Sequence, residues 1–459
     1  MIVVLQATIV ELQAKIAELE RRLHQDSHNS SRPPSSDPPG TARPHRELSG
    51  RKPGAQPGHP AHQRDLVPPD QVGKLITAKP EHCRRCNRHL DGDDPTPVRH
   101  QVFEILSIRI GVIEVQLHSL ACPDCGAITQ AALPPGIPRG MLGPRLVAMM
   151  AALTGSYHVS RRNAASILRD FFKVSISLGS VSAYEEVVSE AIAEPVAEAQ
   201  EFVQKQAVVN VDETSWREKN GRAWLWVAVT VWVCVFLVQA HRSAQAARKL
   251  LGSFAGILGS DRAKCYGRYP LELRQLCWAH LLRAFEAFAE CKEPVGEIGR
   301  ALLAEGRQMF KWWHKVRDGT LPRTMFQRNM EPLERRVEDL LEQAACGPDP
   351  KVAGTCVEIL SVKDALWTFV DHEGVEPTNN ESEREVRQGV IWRKMSLGSQ
   401  SQRGSRYAER MLTVSATLRR QSRNVVDYLT DAIRAAQLHE RPPSLLPSAD
   451  LLATASSTV

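Results

Sequence analysis

The residues with the clearest potential for chemistry are three acidic side chains at the ends of predicted elements. Asp212 ends the β-branched run Ala207–Asp212, and Asp261 ends a second apolar run, Gly256–Asp261. Such runs predict buried strands, and a carboxylate at the carboxyl end of a strand leaves the core and faces a cleft. Glu383 lies at the start of a predicted helix. If the three converge, their oxygens suit Mg²⁺ or Mn²⁺, and two such ions can hold the attacking and leaving oxygens of a displacement at phosphorus.

Glu383 could also have a purely structural role, as part of a helix cap. It follows Asn380 by three residues, which is the spacing of a capping box, and Glu381 and Glu385 lie close by. The strongly basic segment Asn379–Arg423 favours a functional role instead, because a basic patch beside a carboxylate cluster is typical of DNA backbone binding. The Gly/Ser-rich loop Ser396–Ser405 is expected to contact phosphates. The candidate DNA contacts are Arg384, Arg387, Arg393, Lys394, Arg403 and Arg406.

Four cysteines form two Cys-x-x-Cys units, Cys83 with Cys86 and Cys122 with Cys125. Two such pairs predict one closed structural Zn²⁺ site, whereas a redox dithiol would need a single pair. The alternating apolar segment Val98–Leu120 between them predicts a β-hairpin or ribbon. The six other cysteines are scattered, which favours a reducing cytosol over a secreted disulfide scaffold.

Cys277-x-x-His280 is a further pair of metal-ligand types, at the end of a predicted strand. Two ligands are too few for a closed zinc site. We therefore expect Cys277 and His280 to support or shape the active site, with His280 near a phosphate or a bound water.

The elements that must position these residues suggest several units, since 459 residues exceed one ordinary domain. The heptad pattern from Ile2 to Leu23 predicts a self-associating coiled coil, and it is not a signal peptide. A Pro/Gly/Ser-rich, mildly basic linker follows, over Ser27–Pro69. Helices over Ser160–Arg169 and Leu178–Ile192, with a short connection, resemble a helix-turn-helix.

Composition bounds the function classes. The net charge of +6 is mild, so a nucleic-acid reading depends on local charge patterns. The longest apolar run, Ala223–Ala240, is rich in β-branched and aromatic residues, which predicts paired strands rather than a membrane helix. We expect a cytoplasmic protein that acts on DNA, with no membrane partner.

Several strings of the chain closely resemble the DDE transposases of the insertion-sequence-sixty-six family. They are Val-Asp-Glu-Thr-Ser-Trp216, Ala-Trp-Leu-Trp-Val-Ala-Val229, Gly-Ser-Asp261, Gln-Leu-Cys-Trp-Ala-His-Leu-Leu-Arg283, Glu-Pro-Thr-Asn-Asn-Glu-Ser-Glu-Arg384 and Ile-Trp-Arg-Lys-Met-Ser-Leu-Gly-Ser-Gln-Ser-Gln-Arg-Gly404. The likeness covers nearly the whole chain. It implies that Asp212, Asp261 and Glu383 are the metal-binding triad, and it selects Glu383 over Glu381.

The resemblance implies an α/β fold with a ribonuclease-H-like catalytic core and a helical insertion. The expected units are a coiled coil (1–25), a disordered linker (26–70), a four-cysteine zinc domain (71–132), a helix-turn-helix-like DNA-binding region (139–200), the first part of the core (205–280), the insertion (281–371), a core helix with the catalytic glutamate and basic segment (372–436), and a flexible tail (437–459). Two features depart from the family pattern: Arg262 follows the second aspartate, and Thr230–Phe236 lacks a Gly or Asp turn.

The function this implies is cleavage at the ends of a mobile element and joining of the 3′-hydroxyl ends to target DNA. The expected partners are double-stranded DNA (terminal repeats and target), a second copy in a homodimer or higher oligomer, and small accessory proteins of the same element. Two alternatives stay open: a zinc-dependent DNA-binding regulator without catalysis, and a ribonuclease-H-like nuclease that never joins strands.

Overall fold

The computed structural model describes residues 25–30, 37, 65–105, 108 and 110–456, together with residues 6, 8, 9, 12, 13, 15, 16, 19, 20 and 23. It divides into two compact units, one formed by Met1–Pro39 with Ile113–Val459 and the other by Gly40–Val112. The smaller unit contains the Cys83–Cys86 pair, and the larger unit contains every other element described below.

The residues described between positions 6 and 23 are all helical, as the heptad pattern predicts. The heptad residues among them are each more than half exposed; they are Ile9, Leu12, Ile16, Leu19 and Leu23. Ile2 and Leu5 of the same pattern lie outside the described residues. The pairing of this helix with a second copy stays a prediction.

Part of the predicted linker packs against the body of the larger unit. Asp37 accepts hydrogen bonds from the backbone and hydroxyl of Ser27 at 2.8 and 2.7 Å. The Asn29 side chain is 9% exposed and donates to Glu290 Oε2 at 2.6 Å. Residues 38–64, most of the linker, lie outside the described residues.

The expected hairpin over Val98–Leu120 is wrong. The described strands of this region are β1 (Ser119–Ala121) and β2 (Ile128–Gln130), which pair antiparallel around Cys122 and Cys125. Upstream, apolar side chains of the alternating pattern are exposed, with Val98 98% and Val112 88% accessible. Alternation indicates two distinct faces, but a strand also needs a hydrogen-bonding neighbour, which the pattern does not reveal.

The helical region after the cysteines has the predicted order and caps. Ser160 accepts from Asn163 N and Ser177 from Ser180 N, so each serine satisfies a free amide at a helix start. Lys173 ends the first of this helix pair in a left-handed conformation. The helices are α1 (Pro144–Ala151, continued by the π-helical turn Ala152–Ser156), α2 (Arg161–Phe172), α3 (Leu178–Ala191) and α4 (Ala193–Gln204).

A five-stranded mixed sheet follows, with the spatial order β5-β4-β3-β6-β7. The first three strands are antiparallel neighbours, while β6 and β7 run parallel to β3. The run Ala223–Ala240 therefore forms strands, and none of the described helices is long and apolar enough to span a membrane. The elements are β3 (Val208–Glu218), β4 (Gly221–Val229), β5 (Cys234–Gln239), α5 (Ala244–Leu251), β6 (Ile257–Ser260) and β7 (Arg274–Leu276).

The β4–β5 turn is closed by a threonine instead of the expected Gly or Asp. Thr230 N and Oγ1 donate to Val233 O at 2.9 and 3.0 Å, and Val233 N donates back to Thr230 Oγ1 at 2.9 Å. A hydroxyl that accepts from the backbone in this way replaces the usual turn residues.

The insertion between the sheet and the second half of the core is helical and has its own apolar core. Trp278, Phe326 and Phe369 are among its fully buried side chains. The connection Leu360–Thr368 contains the short turn Lys363–Leu366, and Thr368–Asp371 adds one helical turn. The helices are α6 (Trp278–Ala289), α7 (Val295–Arg317), α8 (Arg323–Ala345) and α9 (Pro350–Leu360).

Helices α10 (Asn380–Ser396), α11 (Gln402–Arg420) and α12 (Val425–Leu438) return to the sheet, and α13 (Ala449–Ser456) ends the described chain. The segment expected as a flexible tail packs in part on this core. Leu445 is fully buried, its carbonyl accepts from Gln421 Nε2 at 2.8 Å, and Pro443 O accepts from Tyr428 OH at 2.8 Å.

Candidate metal and DNA site

Asp212 lies within β3, and Asp261 directly follows β6, the parallel neighbour of β3. The expectation that Asp212 ends its strand is wrong, because β3 continues to Glu218 by pairing with β4 after its pairing with β6 has ended. The register pairs Asn210 of β3 with Gly259 of β6, and each aspartate is two residues further along. Successive strand residues point to opposite faces, so Asp212 shares the face of Val208 and Asn210. Beyond β6, Asp261 Oδ1 accepts from Ala263 N at 2.9 Å. The strands therefore bring the two carboxylates together.

Glu383 reaches these carboxylates through the start of α10. Asn379, the residue before the helix, is 1% exposed and donates from Nδ2 to Val211 O at 2.7 Å, one residue before Asp212. Its Oδ1 accepts from Ser382 Oγ, so the side chain does not cap the helix backbone. Glu383 Oε1 is buried and has no hydrogen-bond partner among the described residues. The capping-box interpretation of Glu383 is therefore wrong.

Like charges surround Asp212. Burial raises the pKa of Asp212 well above its usual value, and the carboxylates of Glu213, Asp261 and, more weakly, Glu383 raise it further. Interactions of this kind require the carboxylates to lie near one another in a poorly solvated place. Such a group favours either a proton or a cation, because both relieve the repulsion.

Glu213 is a buried acid that the sequence analysis did not single out. Its side chain is 1% exposed, accepts from Arg242 Nε at 2.6 Å and is also hydrogen-bonded by Tyr266 OH. Burial raises the pKa of Glu213, followed by the charge of Asp261, while Tyr266 and Arg242 lower it. Arg242 Nη2 also lies 3.6 Å from Asp261 Oδ2. One guanidinium thus connects the buried acid with the metal-site candidate.

Cys277 and His280 lie beside Glu383, as expected for residues that support the site. Cys277 precedes α6, and His280 is in its first turn. The donor atoms of Cys277, His280 and Glu383 all lie within 4.8 Å of one another. Burial lowers the pKa of His280 and raises the pKa of Cys277 to about 11. On the other side of the carboxylate, Arg283 Nη2 lies 3.6 Å from Glu383 Oε2.

Arg262, which departs from the family pattern, is a partly buried cation. Burial lowers its pKa, and the nearby charges that oppose this shift include Glu358 and Asp261. Its Nε is buried and lacks a hydrogen-bond partner among the described residues. The charges of Asp261 and of Glu358 on α9 both act on this guanidinium.

The six basic candidates divide into two groups. Three contact protein groups: Arg384 pairs with Glu381 at 3.0 Å, Arg403 with Glu186 at 2.9 Å, and Arg393 donates to Ser215 Oγ. The other three are exposed and make no ion pair within the described part of the chain; they are Arg387, Lys394 and Arg406. The second group is free to contact an external anion.

The Gly/Ser loop is built differently from the expectation that it contacts phosphates. Ser399 and Ser405 are buried, and their hydroxyls bond each other at 2.6 Å. Ser399 also accepts from Trp216 Nε1 at 3.1 Å, and its backbone pairs with Arg217 and Lys219 at 2.9 and 2.8 Å. These groups are occupied by the end of β3, so they are not available to DNA.

A glycine makes this close approach feasible. Gly398 has φ +92°, and a Cβ at that position would lie 2.3 Å from Arg217 O. Because that distance is far inside van der Waals contact with backbone, no other residue fits here without movement of the strand.

Each Cys-x-x-Cys pair forms the same local turn. In the smaller unit, Cys83 N donates to Arg88 O at 2.8 Å and Asn87 N to Cys83 O at 2.9 Å, with Asn87 at φ 58°. In the larger unit, Cys122 N donates to Ala127 O and Gly126 N to Cys122 O, both at 2.9 Å. Hydrogen bonds from Arg85 and Cys86 lower the pKa of Cys83, and bonds from Cys125 and Asp124 lower that of Cys122.

The fold and site define a mixed α/β protein with a carboxylate-lined sheet edge suited to divalent cations. Comparison with known families is specific. The family model described as "Transposase IS66 family" matches residues 139–407, and one described as "Family of unknown function (DUF6444)" matches residues 1–65. The chain belongs to the IS66 family of transposases, which makes it a DNA-processing, DNA-binding enzyme and confirms the resemblance.

Two similar proteins come from Sinorhizobium fredii (strain NBRC 101917 / NGR234). The uncharacterized protein y4hP is 23% identical over 423 residues, which cover 82% of this chain and 74% of that protein. The uncharacterized protein y4qI is 23% identical over 394 residues, which cover 78% of this chain and 71% of that protein.

Proposed function

We propose that this protein is a DDE-type transposase that cleaves phosphodiester bonds at the ends of its element and joins the 3′-hydroxyl ends to target DNA. The observation that carries the proposal is the convergence at one sheet edge. Asp212 lies in β3, two residues beyond the last pair of β3 with β6, and Asp261 directly follows β6. Asn379 joins the start of the Glu383 helix to β3 by its hydrogen bond to Val211 O. The sheet order and strand directions support a ribonuclease-H-like core.

The residues fit a divalent cation. Asp212, Asp261 and Glu383 offer only oxygen ligands, and Glu383 Oε1 is a buried acceptor that receives no hydrogen bond from the described residues. Bound Mg²⁺ or Mn²⁺ would supply charge stabilisation for the attacking and leaving oxygens at phosphorus. The three carboxylates would hold the ions, and the raised pKa of Asp212 reports the repulsion that such ions would relieve.

Neighbouring residues have positioning roles in this proposal. Asn379 fixes the start of α10 against β3, and Arg242 restrains Asp261 from the side of Glu213. Arg283 lies against the second oxygen of Glu383. Arg387, Lys394 and Arg406 would bind the DNA backbone, since phosphate contacts position a duplex without reading its sequence.

The direct test incubates purified full-length protein with Mg²⁺ and DNA fragments that carry the ends of the element. We expect strand cleavage by the wild type and a loss of about 10³-fold or more for Asp212→Asn, because a metal ligand becomes a neutral amide. Glu381→Gln is the matched control for Glu383→Gln, because Glu381 lies in the same helical turn but pairs with Arg384 and Arg420. Full activity of Asp212→Asn would overturn the proposal.

Two further outcomes separate the alternatives. Pre-cleaved ends supplied with target DNA should be joined; cleavage without joining would favour a nuclease. DNA binding without any cleavage in Mg²⁺ would favour a regulator that uses the cysteine and helix-turn-helix regions.

If Arg387 and Arg406 contact the DNA backbone, removing either should change how DNA affinity depends on salt concentration. Arg387→Ala and Arg406→Ala should each weaken DNA binding across sequences and reduce the slope of log affinity against log salt by about 1. Arg403→Ala is the matched control, since its guanidinium already pairs with Glu186. An equal change in slope for all three variants would contradict the division between free and paired cations.

We also propose that each Cys-x-x-Cys turn binds zinc. The amide-to-carbonyl pattern around Cys83 and Cys122 is the same, and backbone donors lower the pKa of both thiols, which favours the thiolate that zinc requires. That all four cysteines share one ion stays a prediction from their spacing. Zinc content of the purified protein, compared with Cys83→Ser and Cys122→Ser, tests it.

A further inference from the structure

Three side chains of different chemistry meet where α6 and α10 begin. His280 Nδ1 and Glu383 Oε1 are 3.4 Å apart, and the Cys277 thiol completes a group whose donor atoms lie within 4.8 Å of one another. Both His280 Nδ1 and Glu383 Oε1 are buried and lack a hydrogen-bond partner among the described residues. Two buried polar atoms that lie side by side without hydrogen bonds are unusual, since buried polar atoms nearly always form at least one.

The separation fits two ligands of one ion better than a hydrogen bond. A charge-assisted N–H···O bond would bring the atoms to about 2.7–2.9 Å. Nitrogen and oxygen ligands each about 2.0–2.2 Å from a tetrahedral zinc ion are separated by roughly 3.3–3.5 Å. The observed 3.4 Å falls in that range.

We propose that Cys277, His280 and Glu383 form a second metal site, selective for a thiophilic divalent ion such as Zn²⁺. Thiolate and imidazole ligands select zinc, whereas Mg²⁺ requires hard oxygen ligands in octahedral geometry. Three protein ligands leave the fourth position open. The site differs in its donor set from the carboxylate group at the sheet edge, and shares Glu383 with it.

The surroundings hold the ligands in place. Asn379 N donates to Cys277 Sγ at 3.2 Å, a bond that stabilises a metal-bound thiolate. Cys277 N donates to Ser260 O and Trp278 N to Pro377 O, both at 2.9 Å, so the backbone at the start of α6 is fixed on two sides. Arg283, 3.6 Å from Glu383 Oε2, orients the carboxylate so that its other oxygen faces His280.

Sharing Glu383 has a regulatory consequence, which rests on the proposed function. An ion held by Cys277 and His280 engages the carboxylate that the Mg²⁺-dependent reaction uses. Zinc bound there inhibits cleavage, and Mg²⁺ and Zn²⁺ compete through one side chain.

Binding is tested with Co²⁺ as a spectroscopic probe on the full-length protein, by titration and by metal content after removal of unbound ion. The two Cys-x-x-Cys turns also bind Co²⁺, so the number of equivalents is compared between variants. Cys277→Ala and His280→Ala should each bind one equivalent fewer than the wild type, or bind it more than about 100-fold more weakly. Cys356→Ala is the matched control, since it removes another fully buried thiol outside the group.

Equal stoichiometry and affinity in all four proteins would overturn the site. If Cys277→Ala does not fold, the half-buried residues His280 and Glu383 decide the question through His280→Ala and Glu383→Ala. Their folding is checked by circular dichroism.

A cleavage assay tests the coupling separately. Zinc should inhibit Mg²⁺-supported cleavage by wild type and Cys356→Ala, and a concentration at least about tenfold higher should be needed for Cys277→Ala. Inhibition of all three at the same zinc concentration would overturn the coupling. A protein with no cleavage activity in Mg²⁺ would refute the proposed function, while the Co²⁺ count would still decide the second site.

Discussion

Two groups of carboxylates in this chain differ in how they are held. At the sheet edge, Asp212 and Asp261 are fixed by paired strands, and Glu383 follows a helix start that is hydrogen-bonded to β3. In the insertion, a cavity of about 320 Å³ is lined by acids of α8 and its neighbours, among them Glu331, Glu334, Glu338 and Asp364. Both groups contain a carboxyl whose pKa is raised by burial.

The two groups differ in whether nearby cations balance their charge and in how their side chains are held. The insertion acids share their cavity with Arg335 and Lys363, and Lys363 contacts Glu338 directly. Glu331, Glu334 and Glu338 repeat at helical spacing on α8, a pattern that a solvated helix face produces without any ligand. A raised pKa therefore does not by itself distinguish a metal site from a solvated helix face. The sheet acids differ from the insertion acids because they come from separate elements that are hydrogen-bonded to one another.

The largest expected difference between the groups is catalytic. Glu383→Gln should reduce Mg²⁺-dependent cleavage by about 10³-fold or more, because it removes a charged ligand. Glu334→Gln removes a carboxylate of the insertion cavity and should leave cleavage within about twofold. Both are measured on the same end-bearing DNA, and equal losses would mean that the insertion acids also take part.

A smaller effect is expected from changes to the residues that precede two helices, Asn379 before α10 and Asp349 before α9. Asn379→Ala should lower the free energy of unfolding by about 1–3 kcal/mol, because Val211 O loses a buried donor, and it should also reduce cleavage. Asp349 caps α9 in the ordinary way, by accepting from Lys351 N and Val352 N. Asp349→Ala should cost about 1 kcal/mol and spare cleavage. Urea unfolding and the cleavage assay measure both, and unchanged activity in Asn379→Ala would remove its positioning role.

The smallest effect is the pH dependence of stability that Glu334 contributes. Burial first, then Asp371 and Glu331, raise the pKa of Glu334 to about 7 from 4.5. The folded state therefore binds the proton more tightly, and stability falls as pH rises from about 4.5 to about 7. Glu334→Gln should stabilise the protein by about 1 kcal/mol at pH 8, after allowance for partial exposure, and by almost nothing near pH 4.5.

Urea midpoints at the two pH values measure this contribution. Asp339→Asn is the control, because Asp339 is exposed on the same helix and is not among the groups that raise the pKa of Glu334. A stabilisation by Glu334→Gln that is the same at both pH values would show that titration of this carboxyl is not its cause.

Short apolar runs before Asp212 and Asp261 correctly predict strands at both places, because such runs are buried. The end of β3 was not predictable from its first residues, since the strand continues to Glu218 by pairing with β4. Glu213 was not predicted, because its hydrogen bonds come from Arg242 and Tyr266, which belong to separate segments. A carboxylate inside an alternating strand, on the buried face, was the signal that could have found it. The partners of such a residue are set by tertiary packing, which spacing along the chain does not encode.

The same limit explains the other differences. The spacing to Glu383 predicts Asn380 as the capping residue, yet Asn379 precedes the helix, and its amide donates to β3. The composition of residues 396–405 predicts exposed serines that contact phosphates. Ser399 and Ser405 are instead buried, Ser399 accepting from Trp216 and Ser405 donating to Glu218. Local sequence preferences indicate where a helix or loop begins. The hydrogen-bond partner of each of these polar groups comes from another element.

The hydrogen bonds between Ser399 and the far end of β3 set the distance between the α10–α11 loop and the carboxylates. Asp212 and Trp216 belong to one strand, and four residues of strand span about 13 Å. The loop that joins α10 to α11 is thereby held at a set distance from the carboxylates, and both helices carry free basic side chains. That distance equals roughly four steps of 3.4 Å along a DNA strand. Under the proposed function, β3 would set the distance between the carboxylates and the basic side chains that contact the DNA backbone.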